Sequence, residues 1–237
     1  MALDAIAVGY TWAKQRRRPP AGCARTHARW GLVGTVDTVD PLREETQRSR
    51  ATSPRSVSFV TTTDTFDLHD DLVGLRAMVP ADAVAIMEAC QDDEIIRWTS
   101  IPAPYTLEFA HTFISLAAQW RAEGSSFQFA VINLGDGSFA GTIGLDAVLR
   151  PPAQVGYWIA PWARRQGFAS RALTLVTSWA IRELGVETIE LVTKIGNEAS
   201  ERVAGNAGFA FVDEIAEHQP MYGSETVRVR RWALPHT

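Results

Sequence analysis

In residues 157–170, Tyr-Trp-Ile-Ala-Pro-Trp-Ala-Arg-Arg-Gln-Gly-Phe-Ala-Ser, two arginines stand beside a glycine and small residues. That combination suits an anion. Gly167 has no Cβ to block a close approach to the backbone, and Ala169 nearly none. Unpaired N–H groups at a helix start then converge on a negative ligand, and the helix dipole adds to the attraction. Arg164 and Arg165 supply formal positive charge at the rim, and a pyrophosphate matches such a cradle best. The elements that must position it flank it directly. Residues 154–159 (Gln-Val-Gly-Tyr-Trp-Ile) read as a strand stopped by Pro161. Ala169, Ala172, Leu173, Val176, Ala180 and Leu184 recur at spacings of three and four and read as a helix ended by Gly185. An ordinary βα unit with exposed arginines would share these features. Other phosphate cradles fit poorly: there is no GxxxxGK loop followed by Ser or Thr, and no GxGxxG with an acidic residue about 20 positions on.

Arg164-x-x-Gly167-x-Ala169 fits a known signature, Arg/Gln-x-x-Gly-x-Gly/Ala, and a second element follows in Asn197-x-x-Ser200-x-x-Val203 with Gly208-Phe209. On these residues the chain resembles the GNAT family of N-acetyltransferases. The wording of residues 156–173, GYWIAPWARRQGFASRAL, is most similar to the RimJ/RimL type that acetylates ribosomal proteins, and the resemblance covers residues 66–234, about 70% of the chain. It implies an α/β (α+β) fold of GNAT type: a mixed central sheet of about seven strands flanked by about four helices, antiparallel at first and splaying beside the signature strand. It also implies that acetyl-CoA is the co-substrate, with no metal, and that a primary amine, on a protein N-terminus or a small molecule, attacks the thioester directly within a ternary complex.

The resemblance assigns roles residue by residue. Gln166, Gly167, Phe168, Ala169 and Ser170 would hold the pyrophosphate, with Arg164 and Arg165 at its edge. The backbone of Trp158, Ile159 and Ala160 would line the pantetheine arm and turn one N–H toward the acetyl oxygen. Asn197 would hydrogen-bond that arm, although Asn before Glu198 is also a good helix N-cap. Ser200 would lie near the thiol, as proton donor, as a contact to sulfur, or as a buried capping residue. Where many relatives place a tyrosine, this chain has Phe209-Ala210-Phe211-Val212; the nearest hydroxyl beyond is Tyr222. Asn206 stands where many relatives carry Lys or Arg. Glu94 is the first candidate base, with Glu214, Glu217 and His218 behind it. A peptide α-amine has a pKa of about 8 and a lysine one near 10.4, so an N-terminal acceptor needs less help from a base. The missing tyrosine leaves a second reading open, a non-catalytic acyl-CoA-binding or sensing module.

The 237 residues suffice for one sizeable domain, 46% of them are hydrophobic, and no run of 18 apolar residues suggests a membrane span. Two distant cysteines argue for a reducing, cytoplasmic setting, and five scattered histidines show no metal-ligand spacing. Residues 1–60 hold ten Lys/Arg against five Asp/Glu, while the remainder holds 13 against 22. An acidic remainder favours amine substrates over nucleic acid. Residues 1–62 lack sustained periodicity, have few large apolar residues and read as a disordered extension. They fit a flexible regulatory tail, a transit segment or an upstream translation start, and their basic character leaves contact with nucleic acid or ribosomes as a further expectation. Residues 63–237 read as the acetyltransferase domain, a monomer or homodimer. Within it we expect a first helix over 81–90 with Val84, Met87 and Cys90 on one face, then a second capped by Thr106 and bearing Phe109, Phe113, Leu116, Ala117 and Trp120. A hairpin follows about Gly135-Asp136-Gly137. Most tryptophans read as packing residues, with Trp162 beside the cradle as the exception.

Overall fold

Strands that are buried along almost their whole length need cover on both faces, and three consecutive strands here have that character: β4 (Phe127–Asn133), β5 (Phe139–Asp146) and β6 (Ala153–Ile159). The structure, a computed structural model, describes residues 6–7, 67–218 and 226–235, with Ile6, Ala7, Glu217, His218 and Thr226 by backbone alone. The sheet is completed by β1 (Ile6–Ala7), β2 (Leu68–His69), β3 (Val73–Ala77), β7 (Ile189–Lys194), β8 (Ala210–His218) and β9 (Thr226–Ala233). Strand order is β2-β3-β4-β5-β6-β7-β9-β8, with β1 added on β6. The β6–β7 pairing is parallel and the other pairings are antiparallel. The seven strands expected from the sequence are β3 to β9; β1 and β2, two residues each, are additional. Apart from Ile6 and Ala7, the extension expected to be disordered lies outside the described residues.

Alternation along β6 divides the interior into two cores. Ala153, Val155, Tyr157 and Ile159 join one core with α4 (Phe168–Leu184) and α5 (Glu198–Asn206). Trp158 and Ala160 face the other way, into a core with α1 (Ala83–Ala89), α2 (Asp93–Trp98) and α3 (Leu107–Glu123). The stripe expected on α4 is the one buried: Ala169, Ala172, Leu173, Val176 and Ala180. On α1 the expected face is corrected at one position: Cys90 is buried and Met87 packs against the core as expected, but Val84 does not. The helix buries Ala83, Ile86 and Ala89, while Val84 is 52% exposed, because a 3-10 turn at Pro80–Asp82 precedes α1 and sets its rotation. Likewise α3 turns Ala110, Ile114, Ala117 and Trp120 fully inward and leaves Phe109 and Phe113 at the margin. The hairpin forms as expected, with Asn133 N–H donating to Ser138 at 2.9 Å.

The feature that positions the site is a divergence. β6 and β7 pair only through 153–155 and 189–191. Beyond them residues 156–159 stay bonded to β5 on one edge, and the edge toward β7 opens. β1 lies on this open edge, Ile6 opposite Trp158 and Ala7 opposite Tyr157. The other edge is held close. Gly141 takes φ +154°, and a Cβ there would lie 2.2 Å from the Trp158 carbonyl oxygen and 2.9 Å from Ile159 Cα. These are backbone atoms that cannot swing aside, so Gly141→Ala should lower the unfolding free energy by about 2–3 kcal/mol. Gly137→Ala, at φ +74° with nothing within 4 Å, should lose only about 1 kcal/mol. Chemical denaturation reads both, and equal losses would mean that β5 does not fix β6 through this contact.

Candidate functional site

The open edge of β6 runs directly into the arginine turn. The chain passes through a 3-10 turn, Pro161–Ala163, and then takes left-handed backbone at Arg165 (φ +62°) and at Gly167 (φ +81°), curling before α4 begins. Gly167 is the N-cap of α4 and gives it no side-chain cap. By contrast α2, α3 and α5 are capped by Asp92, Thr106 and Asn197. The first amides of α4, those of Phe168, Ala169 and Ser170, therefore have neither an intrahelical carbonyl nor a capping oxygen. Arg165, Gln166 and Gly167 are exposed around them, while Phe168 and Ala169 bury their side chains in the core. Arg171 anchors the same turn of α4 to the β2–β3 connection, donating to Asp70 at 2.9 Å and Asp71 at 2.5 Å. Trp162, 48% exposed, donates through Nε1 to the Phe139 carbonyl at 2.9 Å.

Of Trp158, Ile159 and Ala160, the strand alternation selects one amide for the gap. Ala160 N–H donates to Ala140 of the β5 side at 2.9 Å. Successive residues point to opposite edges, so Ile159 N–H faces the open edge, as does its carbonyl, which accepts from Arg164 Nε at 3.3 Å. Arg164 itself is not at the rim. Its guanidinium pairs with the Asp92 carboxylate, and its side chain is only 13% exposed. Arg165 keeps the exposed position.

On the α4–α5 side of the gap, Asn197 is 3% exposed and its Oδ1 accepts from Ser200 N–H at 3.1 Å, so the N-cap expected there is formed. Ser200 is fully buried. Its hydroxyl faces that of Tyr157, whose side chain is likewise buried; burial pushes the phenol well above its ordinary range, and Ser200 pulls weakly the other way. Neither Oη of Tyr157 nor Oγ of Ser200 completes a hydrogen bond of normal geometry to another protein group.

On the opposite side, α2 crosses from one wall of the gap to the other. Asp92, its N-cap, holds Arg164 at the turn after β6. At its far end Lys194 of β7 donates to the carbonyls of Arg97 and Thr99 at 3.0 and 2.9 Å, and burial holds this lysine below its ordinary range. The Trp98 ring lies 3.7 Å from where a Cβ of Gly196 would sit. Glu94 projects from α2 but accepts from Trp98 Nε1 at 2.7 Å, with Arg97 at 3.8 Å. Glu214 is bonded to Arg228 and Arg230, each at 2.9 Å. Tyr222 and the side chains of Glu217 and His218 lie outside the described residues. Sequence reasoning missed α2, Asp92 and Lys194. The one available signal was Asp92 followed by Asp93 and Glu94, an N-cap with an acidic first turn, but six residues are too few for periodicity. Among the described residues no helix is long and apolar enough to cross a membrane.

Residues 73–210, from β3 to the first residue of β8, match the family described as Acetyltransferase (GNAT) domain. A protein of Bacillus subtilis (strain 168) named as the uncharacterized N-acetyltransferase YoaA is 31% identical over 144 residues, 60% of this chain and 81% of that protein. Among solved structures, RimJ of Mycobacterium smegmatis in complex with CoA-disulfide superposes with TM-score 0.60 at 21% identity, covering 68% of this chain and 80% of that one. A ribosomal-protein-S5-alanine acetyltransferase from Vibrio fischeri superposes with TM-score 0.60 at 19% identity, covering 70% and 93%. At these identities the two structures speak for the fold alone.

The Arg164–Asp92 pair is the tie between α2 and the arginine turn, and it is enclosed enough for its loss to be measurable. A double-mutant cycle of Asp92→Ala and Arg164→Ala, read by denaturant unfolding, should give a coupling of about 1–3 kcal/mol. Additive losses would show that α2 is fixed by packing instead.

Proposed function

The chain belongs to the GNAT family of acetyltransferases and is an acyltransferase; from that premise we propose that it moves the acetyl group of acetyl-CoA to a primary amine by direct attack, the amine being the N-terminus of a protein. The observation that carries this reading is the continuity of two backbone surfaces, the edge of β6 that β7 leaves and the uncapped start of α4. An extended arm carrying amides needs the first, and a pyrophosphate needs the second. Acetyl-CoA has both, joined in that order. The M. smegmatis RimJ structure was solved with CoA-disulfide, which supports a CoA-type ligand for this fold.

In the proposed reaction Gly167, Phe168, Ala169 and Ser170 offer backbone N–H groups to the pyrophosphate, with Gln166 and Arg165 at its exposed flank. The pantetheine arm takes the β6 edge in place of β1. Asn197 lines the arm, and Ile159 N–H is the donor aimed at the acetyl oxygen as negative charge develops there. The acceptor ammonium first loses one proton to solvent. Its nitrogen then forms the N–C bond, the C–S bond breaks with its electron pair going to sulfur, and the nitrogen gives up a second proton. Ser200 is the hydroxyl assigned to the sulfur: it passes its proton to the thiolate and regains the one the nitrogen releases. One proton goes to solvent and one to CoA.

The engagement of Glu94 by Trp98 and of Glu214 by two arginines favours an acceptor that needs little help from a base. A peptide α-amine, with a pKa of about 8, is such an acceptor and a lysine near 10.4 is not. The acceptor enters on the α2 side, across the sheet from Asn197 and Ser200.

Calorimetry should detect acetyl-CoA binding to the wild type, and Gly167→Glu should remove it at millimolar ligand while lowering the unfolding free energy by only about 1 kcal/mol, since nothing lies within 4 Å of a Cβ at 167 and the cost is that of its left-handed backbone, φ +81°. Retained affinity in that variant would place the donor elsewhere. Binding by the wild type without CoA release over a panel of ribosomal-protein N-terminal peptides and small amines would favour a sensing module over an enzyme. Because Ile6 and Ala7 share the β6 edge with the proposed arm, deleting residues 1–10 should leave acetyl-CoA affinity equal or higher. A weaker complex would show that the arm does not use that edge.

A further inference from the structure

Two hydroxyls are enclosed together at the α4–α5 wall of the gap, and the protein gives neither a completed hydrogen bond. Buried polar groups are almost always paired, so a facing pair that is not asks for an explanation. Tyr157 is 2% exposed and Ser200 fully buried. They reach this place from different elements: Tyr157 from the diverging part of β6, Ser200 from the first turn of α5, where Asn197 Oδ1 fixes the backbone by accepting from Ser200 N–H at 3.1 Å. A phenol and an aliphatic hydroxyl have one proton each. If the phenol's proton is directed at Ser200 Oγ, the serine's own proton must point at something else.

Resting on the acetyl-CoA reading above, we infer that Tyr157 is a positioning residue: its hydroxyl donates to Ser200 Oγ and thereby aims the serine proton into the gap, at the sulfur of CoA. Tyr157 does not itself reach the reacting atoms. Burial keeps its phenol protonated through the ordinary pH range, so the hydroxyl always has a proton to give to Ser200 Oγ. Ser200 then meets every arriving thioester with its O–H already directed. The sulfur completes the hydrogen-bonding of Ser200, and Tyr157 is satisfied through Ser200.

A structural role for Tyr157 predicts a different behaviour. A tyrosine kept for packing loses little when its hydroxyl is removed, and the one bond proposed for this hydroxyl, to Ser200 Oγ, falls short of normal geometry. Tyr157→Phe should therefore keep or raise the unfolding midpoint, which leaves the variant fit for binding measurements. The test compares CoA with desulfo-CoA, in which the thiol is replaced by hydrogen, by calorimetry on the full chain. Wild type should prefer CoA by about three- to tenfold, the worth of one hydrogen bond. Ser200→Ala should lose the preference, Tyr157→Phe should lose most of it with affinity for desulfo-CoA unchanged, and the double variant should be no worse than Ser200→Ala alone. Full preference in Tyr157→Phe, or losses that add in the double variant, would overturn the inference while leaving the donor site standing. A wild type that binds neither ligand would overturn the acetyl-CoA reading, and this inference with it.

Discussion

Two parallel strands that begin as neighbours and then separate leave backbone groups in the interior without partners, and buried N–H and C=O groups must be satisfied by something. In this protein the separation begins after Val155 and Leu191. Everything at the candidate site answers to it. Arg164 takes up the Ile159 carbonyl from one direction, a two-residue strand adds to Trp158 and Tyr157, and α2 spans the opening. Gly141 keeps β5 close to Trp158 and Ile159 on the far edge, so the strand cannot relax toward β7 to close the gap. The opening is a consequence of register and of one missing Cβ, and in the proposed reading it is the space in which a ligand with amides of its own takes the place of a neighbouring strand.

Charge is arranged around that space in a way that simple counting of arginines does not reveal. Arg164, the first residue of the signature, is held inward by Asp92, and Lys194 is held on the carbonyls that end α2. Two of the cations nearest the gap therefore fix its cover. What remains for an anion is mainly backbone: the first amides of α4, uncapped by any side chain, with Arg165 beside them. Backbone donors of this kind do not reorganise when charge arrives, which is what both pyrophosphate binding and an oxyanion require. The opposite wall is polar in a different sense, with Asn197, Ser200 and Tyr157 enclosed among apolar neighbours of the α4–α5 core.

How much of this was legible in the sequence follows from the range of each signal. Long elements with regular burial, such as α4 with its stripe from Ala169 to Ala180 and the seven longer strands, were readable because many residues repeat one message. The turn between β6 and α4 was readable because its signal is local, six residues from Arg164 to Ala169. The place of Val84 on α1 was misjudged because a preceding 3-10 turn rotates a seven-residue helix, and rotation is invisible to spacing alone. The role of Arg164 was misplaced because its partner lies 72 positions away. Tyr157 was visible only as a strand residue; that its hydroxyl meets Ser200 depends on where α5 lands. Pairings between distant elements are set by the packing of two cores on one sheet, and no local pattern encodes them.

The central claim is that one continuous path, the β6 edge followed by the start of α4, receives the donor. Amide hydrogen exchange of the full chain with and without CoA tests it most directly. The account predicts that the amides of Ile159, Phe168, Ala169 and Ser170 slow together when CoA is added, while the β2–β3–β4 end of the sheet is unchanged. Slowing confined to other elements, with these four amides unaffected, would contradict it.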